Sequence, residues 1–425
     1  MFNFLKAKES KNAMWLIGGK VCQMIISLLV SILTARYLGP SNYGLINYAS
    51  AYISFFTSVC TLGINSVIIK NFIDYPTEKG TTIGTSIMLR FVSSVLSTIT
   101  IMSVVAIADK EEKMTIVVVS LSCLSLIFNV FDTLNYWFQH IYQSKVTAIA
   151  ILIAYLVTSA YKIVLLIFNK DVPWFAFATS IDYIVLALLL FLAYKRTNGP
   201  PLRFSFEKAK QLLKNSYHYI LSGMMIAIYG QTDKLMLKHM MDGADVGYYS
   251  IATSVCSMWT FILTAIIDSL YPTILRLYEK DRLNFERKNK QLYAIVFYIS
   301  ILVSIFFTFC GEFIVGILYG QAYIYSGTPL RIVTWYTAFS YLGVARNAWI
   351  VSEGKQHYLK YMYCSAAIIN VIMNYMFIPI WGASGAALAS LITQVCTSII
   401  LPCIFKGLRP NAKLMLEAIL LKGVF

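Results

Sequence analysis

Apolar residues run through this chain in stretches of about twenty, the length a helix needs to cross the hydrocarbon of a bilayer. Twelve such stretches are centred near residues 26, 55, 95, 126, 157, 184, 228, 260, 302, 340, 369 and 394. They fill nearly the whole sequence, and no connection is long enough to fold as a separate soluble domain. The pattern predicts an all-α integral membrane protein of about twelve transmembrane helices.

The longest connection, YKRTNGPPLRFSFEKAKQLLKNSYH, falls near the middle. Gly199-Pro200-Pro201 breaks any helix there. Beyond it, Phe206, Ala209, Leu213 and Tyr217 recur at helical spacing with Lys208, Lys210 and Lys214 between them, which predicts a short basic amphipathic helix on the inner leaflet. The expected organisation is a six-helix bundle over 1–194, a basic cytoplasmic linker over 195–215 and a second six-helix bundle over 216–425. The halves echo each other. Span one leads into ARYLGPSNYGLINYAS and span seven into LKHMMDGADVGYYSIAT, at the same ordinal position in each half. Paired six-helix halves hold a polar substrate near the midplane, so a central cavity between the bundles is expected.

Composition agrees with a membrane chain. Of 425 residues, 58% are hydrophobic and 13% charged, against roughly half and a quarter in soluble domains. The net charge of +15 raises the question of nucleic acid, but its placement answers it. With the N-terminus inside and the sides alternating, 24 of the 35 Lys and Arg fall in inner connections and 5 in outer ones. That is the positive-inside bias, which predicts both termini in the cytoplasm and an affinity for anionic lipid headgroups rather than for nucleic acid. The basic segment MFNFLKAKESKN runs straight into a full-length span and reads as a signal anchor.

Little in the chain suggests chemistry on bonds. The eight cysteines are scattered singly and form no cluster with His, so neither a metal site nor a disulfide frame is expected. His140, His218, His239 and His357 lie apart. Walker, GxSxG and HExxH motifs are missing, so neither an enzyme nor a cofactor is expected.

The informative signal is polar residues inside the spans. Span one carries Lys20, Gln23, Ser27, Ser31 and Thr34 at helical spacing. Span three carries Ser86, Arg90, Ser93, Ser97 and Thr100. Span four carries Ser122, Ser125, Asn129, Asp132, Tyr136 and Gln139. Span seven carries Tyr219, Ser222, Tyr229 and Asp233. Span eight carries Ser250, Thr253, Ser257, Thr260, Thr264 and Asp268. Five striped helices are expected to line one hydrated cavity. At a single Ser or Thr the alternative is ordinary helix packing. Ionisable groups at membrane depth are expensive and face a partner or a wet path. Lys20, Arg90, Lys162, Lys234 and Arg346 are candidate cavity cations that would grip an anionic cargo. Lys162, Lys234 and Arg331 lie nearer span ends, where snorkelling to the headgroups is the alternative. Asp132, Asp233 and Asp268 are candidates for coupling to an H+ or Na+ gradient, the alternative being internal ion pairs; Asp182 is a fourth interior carboxylate. Gln23 and Asn129 are candidate neutral lining. The 29 tyrosines are either interfacial anchors or stacking surfaces for sugar rings.

Several segments resemble one family. ARYLGPSNYG (35–44) resembles the first outer turn of polysaccharide-repeat flippases, and FDTLNYWFQ (131–139) their fourth span. NVIMNYMFIPIWGASGAALAS (370–390) resembles their connection between spans eleven and twelve, with Asn370, Asn374, Pro379, Gly382, Gly385 and Ala386 in order. LYGQAY (318–323) fits the outer end of span nine. The resemblance is to O-antigen type lipid-linked oligosaccharide flippases of the multidrug/oligosaccharidyl-lipid/polysaccharide exporter superfamily. It implies two six-helix bundles around a central cavity, set in the bacterial inner membrane. It implies movement of undecaprenyl-pyrophosphate-linked repeat units between leaflets by alternating access. It adds Asn370 and Asn374 to the candidate cavity residues, and a polysaccharide polymerase and chain-length regulator as partners. Rival readings are a cation-coupled multidrug antiporter of the same superfamily, and a membrane polysaccharide polymerase or ligase, against which the short outer connections argue.

Overall fold

The computed structural model describes the backbone of residues 8–424, and their side chains except those of 8–22, 24 and 222. Among these residues every regular element is helical. All twelve predicted centres fall inside helices, with two helices holding a pair of spans each. Lys8–Cys60 contains the first pair, divided at Gly39 (φ 72°, ψ 172°) immediately before Pro40. His357–Val395 contains the eleventh and twelfth, divided at Gly382 (φ 52°, ψ −128°). Positive φ is open to glycine at little steric cost, and this permits a reversal without a loop. Single helices between these pairs carry the rest: Lys79–Ala108, Ser144–Ile167, Val172–Arg196, Phe206–Met240, Gly243–Lys280 and Arg282–Tyr319. Span four is interrupted by a tight turn at Asn129–Asp132, and span ten is divided at Arg346 between Gly327–Ala345 and Asn347–Ser352. Seven stretches are long and apolar enough to cross a membrane unaided, one of them (His357–Ile404) containing two spans. The protein is an integral membrane protein.

Two details differ from the sequence reading. Residues 206–215 are not a separate surface helix but the opening turns of the continuous Phe206–Met240 helix. A further short helix, Arg409–Ile419, follows the last span.

The chain divides into two compact units, one of residues up to 38 plus 45–227, the other of 39–44 plus the chain from 228. Within each, the solvent reverses the usual amphipathicity. In Lys79–Ala108 the buried stripe is Thr82, Ser86, Arg90, Ser94 and Ser97, while Leu96, Ile99 and Ile107 are 60%, 56% and 78% exposed. In Arg282–Tyr319, Ser300 and Ser304 are buried while Phe309 and Phe313 point outward. The Ser300 and Ser304 hydroxyls donate to the carbonyls of Val296 and Ser300, both at 2.7 Å, so these two are satisfied within their own helix. The apolar clusters lie toward one end of each unit. In the first, Ile68, Phe72, Leu134, Trp137, Phe138 and Leu190 interlock. In the second, Phe285, Leu292, Tyr293, Trp349 and Met415 do.

The segment after Tyr194 is strapped to the first unit. Arg203 N–H donates to the Gly80 carbonyl (3.4 Å) and Ser205 N–H to Thr85 Oγ1 (3.1 Å). Lys208, buried, pairs with Glu78 at 2.7 Å and lies 3.9 Å above the Tyr75 ring. The close approach depends on glycine: a Cβ at Gly84 would sit 2.5 Å from the Arg203 carbonyl oxygen. Gly84→Leu should therefore destabilise the protein by about 2–3 kcal/mol or more. Gly230→Ala, with no atom within 4 Å of the added carbon, should cost nothing. Melting of the detergent-solubilised variants distinguishes the two, and equal melting temperatures would contradict the strap.

Candidate functional site

Each unit encloses a polar cavity of its own. In the second unit a cavity of about 350 Å³ is lined by Tyr229, Asp233, Lys234, Tyr249, Thr253 and Ser257 among others, with Tyr336 and Ser390 on the facing helices. Its buried wall is organised around Asp233, which is 4% exposed. Asn370 and Asn374 lie one turn apart in span eleven, so helical spacing puts both amides on one face. Their Nδ2 groups donate to Asp233 Oδ1 at 3.0 and 2.7 Å. Ser390 Oγ of span twelve donates to Asp233 Oδ2 at 2.6 Å, and the Tyr249 hydroxyl of span eight donates to the same oxygen. Asn374 also donates to Asn370 Oδ1 (3.1 Å), while its own Oδ1 is buried without a hydrogen-bond partner. Gln394, one turn beyond Ser390, donates to the Tyr229 hydroxyl.

Four neutral donors thus surround one carboxylate, and no ion pair to it forms among the described residues. Lys234, the next residue, interacts with Asp233 electrostatically without forming an ion pair. No group of three His, Cys, Asp or Glu suited to a transition metal exists among the described residues.

In the first unit a cavity of about 330 Å³ is lined by Gln23, Asn65, Asn129, Asp132, Asp182 and Tyr183, with apolar walls from Ile151 and Leu186. Thr158 Oγ1 donates to Asp182 Oδ1 at 3.3 Å. Arg90 lies beside this cavity and does not line it. Its guanidinium is 1% exposed. Nη1 donates to Thr133 Oγ1 at 2.9 Å and to Asn65 Oδ1 at 3.3 Å, and Nη2 donates to the Asn129 carbonyl at 3.1 Å. Asn129 and Thr133 flank the tight turn in span four, so Arg90 satisfies backbone that the irregular turn frees.

The other predicted residues fall as follows. Lys20 lies on the first helix, with its side chain outside the described residues. Gln23, Asn129 and Asp132 line the first unit's cavity. Lys162 is half-buried and interacts electrostatically with Asp182 without forming an ion pair. Asp233 and Lys234 line the second unit's cavity, and Asn370 and Asn374 stand behind Asp233. Arg346 is buried at the division of span ten, where its Nη1 donates to the Thr397 carbonyl at 3.1 Å, and it lines neither cavity. Asp268 is exposed and lies in neither cavity. Arg331 pairs with Glu312 at 2.8 Å. Residues of the stripes on spans one and four thus line the first unit's cavity and residues of those on spans seven and eight the second unit's, while the stripe of span three lines neither. Tyr249, Ser390 and Asn65 escaped the sequence reading; single Ser and Tyr residues in a span carry no signal above packing, though Ser390 closes the 370–390 motif.

These geometries sit in a known fold. The chain superposes on the lipid II flippase MurJ in an inward closed conformation with a TM-score of 0.74, at 15% identity, over 96% of this chain and 90% of that one. An inward-facing MATE multidrug resistance transporter of the MOP superfamily gives 0.67 at 16% identity, over 93% and 96%. The fold is that of the MOP-superfamily transporters. The polysaccharide biosynthesis protein family matches residues 10–278, more than half of the chain. The chain belongs to that family. Two relatives share the name "Putative O-antigen transporter". The one from Shigella dysenteriae is 22% identical over 261 residues, 61% of this chain and 65% of its own length. The one from Salmonella typhi is 24% identical over 152 residues, 35% of this chain and 33% of its own length. The chain thus spans less than two thirds of either relative.

If Asn374 exists to satisfy Asp233, then Asn374→Leu, which keeps the volume and removes the donor, should lower stability by about 1–3 kcal/mol. The melting temperature of the purified protein reads this directly; an unchanged value would mean that the amide is dispensable.

Proposed function

We propose that this protein is a flippase that moves undecaprenyl-pyrophosphate-linked oligosaccharide repeat units, of O-antigen or a related surface polysaccharide, from the inner to the outer leaflet by alternating access. The match of more than half the chain to the polysaccharide biosynthesis family carries the reading. The O-antigen transporter relatives and a fold shared with a lipid II flippase support it. The physical problem is the pyrophosphate, whose transfer into hydrocarbon without compensation is prohibitive. Lys234, on the wall of the second unit's cavity, is the cation placed to offset it. Lys20 and Lys162 stand as further candidates, with Arg90 and Arg346 acting from behind the cavity walls. The proposed setting is the bacterial inner membrane with both termini cytoplasmic, from the charge bias. The proposed partners are a polysaccharide polymerase and a chain-length regulator.

Asp233 is the proposed coupling group, alternating between an unpaired carboxylate and one neutralised by H+ or Na+. Its four neutral hydrogen-bond donors and its place on the cavity wall support this. Asp132 is a secondary candidate in the first unit's cavity.

A multidrug antiporter is the second reading. One observation favours it: Asp132 and Asp182 both line the first unit's cavity, and carboxylates suit a cationic drug.

In a strain lacking its own repeat-unit flippase, the wild-type chain should restore surface polysaccharide while Asp233→Asn and Lys234→Gln, at native protein levels, should not. Full restoration by Lys234→Gln would remove that cation from the phosphate path. Labelling of single cysteines should reach positions 110 and 243 from outside intact cells, and positions 203 and 286 only after permeabilisation. The reverse pattern would overturn the topology.

A further inference from the structure

The short helix after the last span, Arg409–Ile419, has two dissimilar faces. Its inner face is anchored to the opening of the Arg282–Tyr319 helix. Asn411 Nδ2 donates to the Tyr293 hydroxyl at 2.7 Å, the Tyr298 hydroxyl to the Ile419 carbonyl at 2.8 Å, and Gln291 Nε2 to the Val424 carbonyl at 2.9 Å. The outer face is unpartnered, and with the end of span twelve it forms an open groove of about 340 Å³.

The groove is lined by both cationic and apolar side chains. Arg409, Lys413 and Lys422 line it. Arg409 Nε donates to the Cys403 carbonyl at 3.0 Å, which fixes the guanidinium and leaves its terminal nitrogens without a partner among the described residues. Lys413 is 77% exposed and its ammonium lies 3.8 Å from Glu417, one turn on. Glu417 is the one carboxylate there, and Lys290 engages it at 2.5 Å. That hydrogen bond holds Glu417 below the usual carboxylate range, so it stays ionised and paired. Leu416 and Leu420 complete the wall, and Ile404, next to Cys403, is exposed as well. Cys403 and Ile404 end a membrane-spanning stretch, which sets the groove at headgroup level.

We infer that this groove is a binding site for an acidic phospholipid, its phosphate held by Arg409 and Lys413, one helical turn apart, its acyl chain laid along Leu416 and Leu420, and Lys422 at the far end adding to the positive field. Charge complementarity selects the occupant. A zwitterionic lipid gains little from three cations, a free phosphate gains nothing from the leucines, and the groove offers both features at bilayer depth. The inference needs only a membrane protein, and so stands apart from the cargo proposed above.

The test uses the full chain in delipidated detergent micelles, titrated with dioleoyl phosphatidylglycerol while the melting temperature is followed. Phosphatidylglycerol should raise it saturably; dioleoyl phosphatidylcholine and inorganic phosphate should not. Arg409→Gln/Lys413→Gln/Lys422→Gln should raise the half-saturating concentration roughly tenfold or more. Leu416→Ser/Leu420→Ser, on the same exposed face, should weaken binding too. A matched loss of three exposed charges elsewhere, Lys195→Gln/Arg196→Gln/Lys214→Gln, should leave it unchanged. An equal effect of both charge triples would reduce the site to diffuse attraction. Equal shifts with phosphatidylcholine or with phosphate alone would overturn it as well. Because the readout is binding, it holds whether or not the protein proves to flip glycolipids.

Discussion

A polar group within a bilayer has no solvent to fall back on, and each one in this chain must find its partner inside the protein. That constraint organises both units. Ser300 and Ser304 turn inward and bond to carbonyls of their own helix, while Phe309 and Phe313 on the same helix point outward. Where backbone regularity fails, a charged side chain supplies the missing bonds. Arg90 does so for the Asn129 carbonyl at the turn in span four, and Arg346 for the Thr397 carbonyl near the end of span twelve. Two cations that read as cargo ligands in the sequence are thus also framework. Removing either leaves buried acceptors unpaired, which costs more than the loss of a surface charge.

Asp233 meets the same constraint with a carboxylate. Its oxygens accept hydrogen bonds from three other spans, and Lys234 interacts with it electrostatically. The donors come from spans eight, eleven and twelve, so this one side chain ties three helices to span seven.

The fold was legible because its signal is coarse. Twelve apolar runs of span length, interrupted by glycine and proline at Gly39-Pro40 and Gly382, leave little freedom in the count. The Asp233 site was legible in part. An interior charge is conspicuous, and Asn370 and Asn374 share a face by simple helical spacing. Tyr249 and Ser390 were not legible, since a serine in a membrane helix is most often a packing residue. Arg90 was legible as buried and charged, but its partner is a carbonyl freed by a local turn, which side-chain identity does not reveal. Which residues meet in each unit's cavity was likewise hidden, because helical spacing tells which residues share a face and not which neighbour that face meets. Arg409–Ile419 is only eleven residues long, too short for a span, and so escaped a reading built on span length.

The most direct measurement is transport by the purified chain in proteoliposomes. A lipid-linked oligosaccharide is loaded on the inner leaflet, and its arrival outside is followed by cleavage of the exposed glycan. The account predicts protein-dependent flipping that responds to an imposed H+ or Na+ gradient and loses that response in Asp233→Asn. Export of a cationic dye with no movement of the lipid-linked glycan would contradict it.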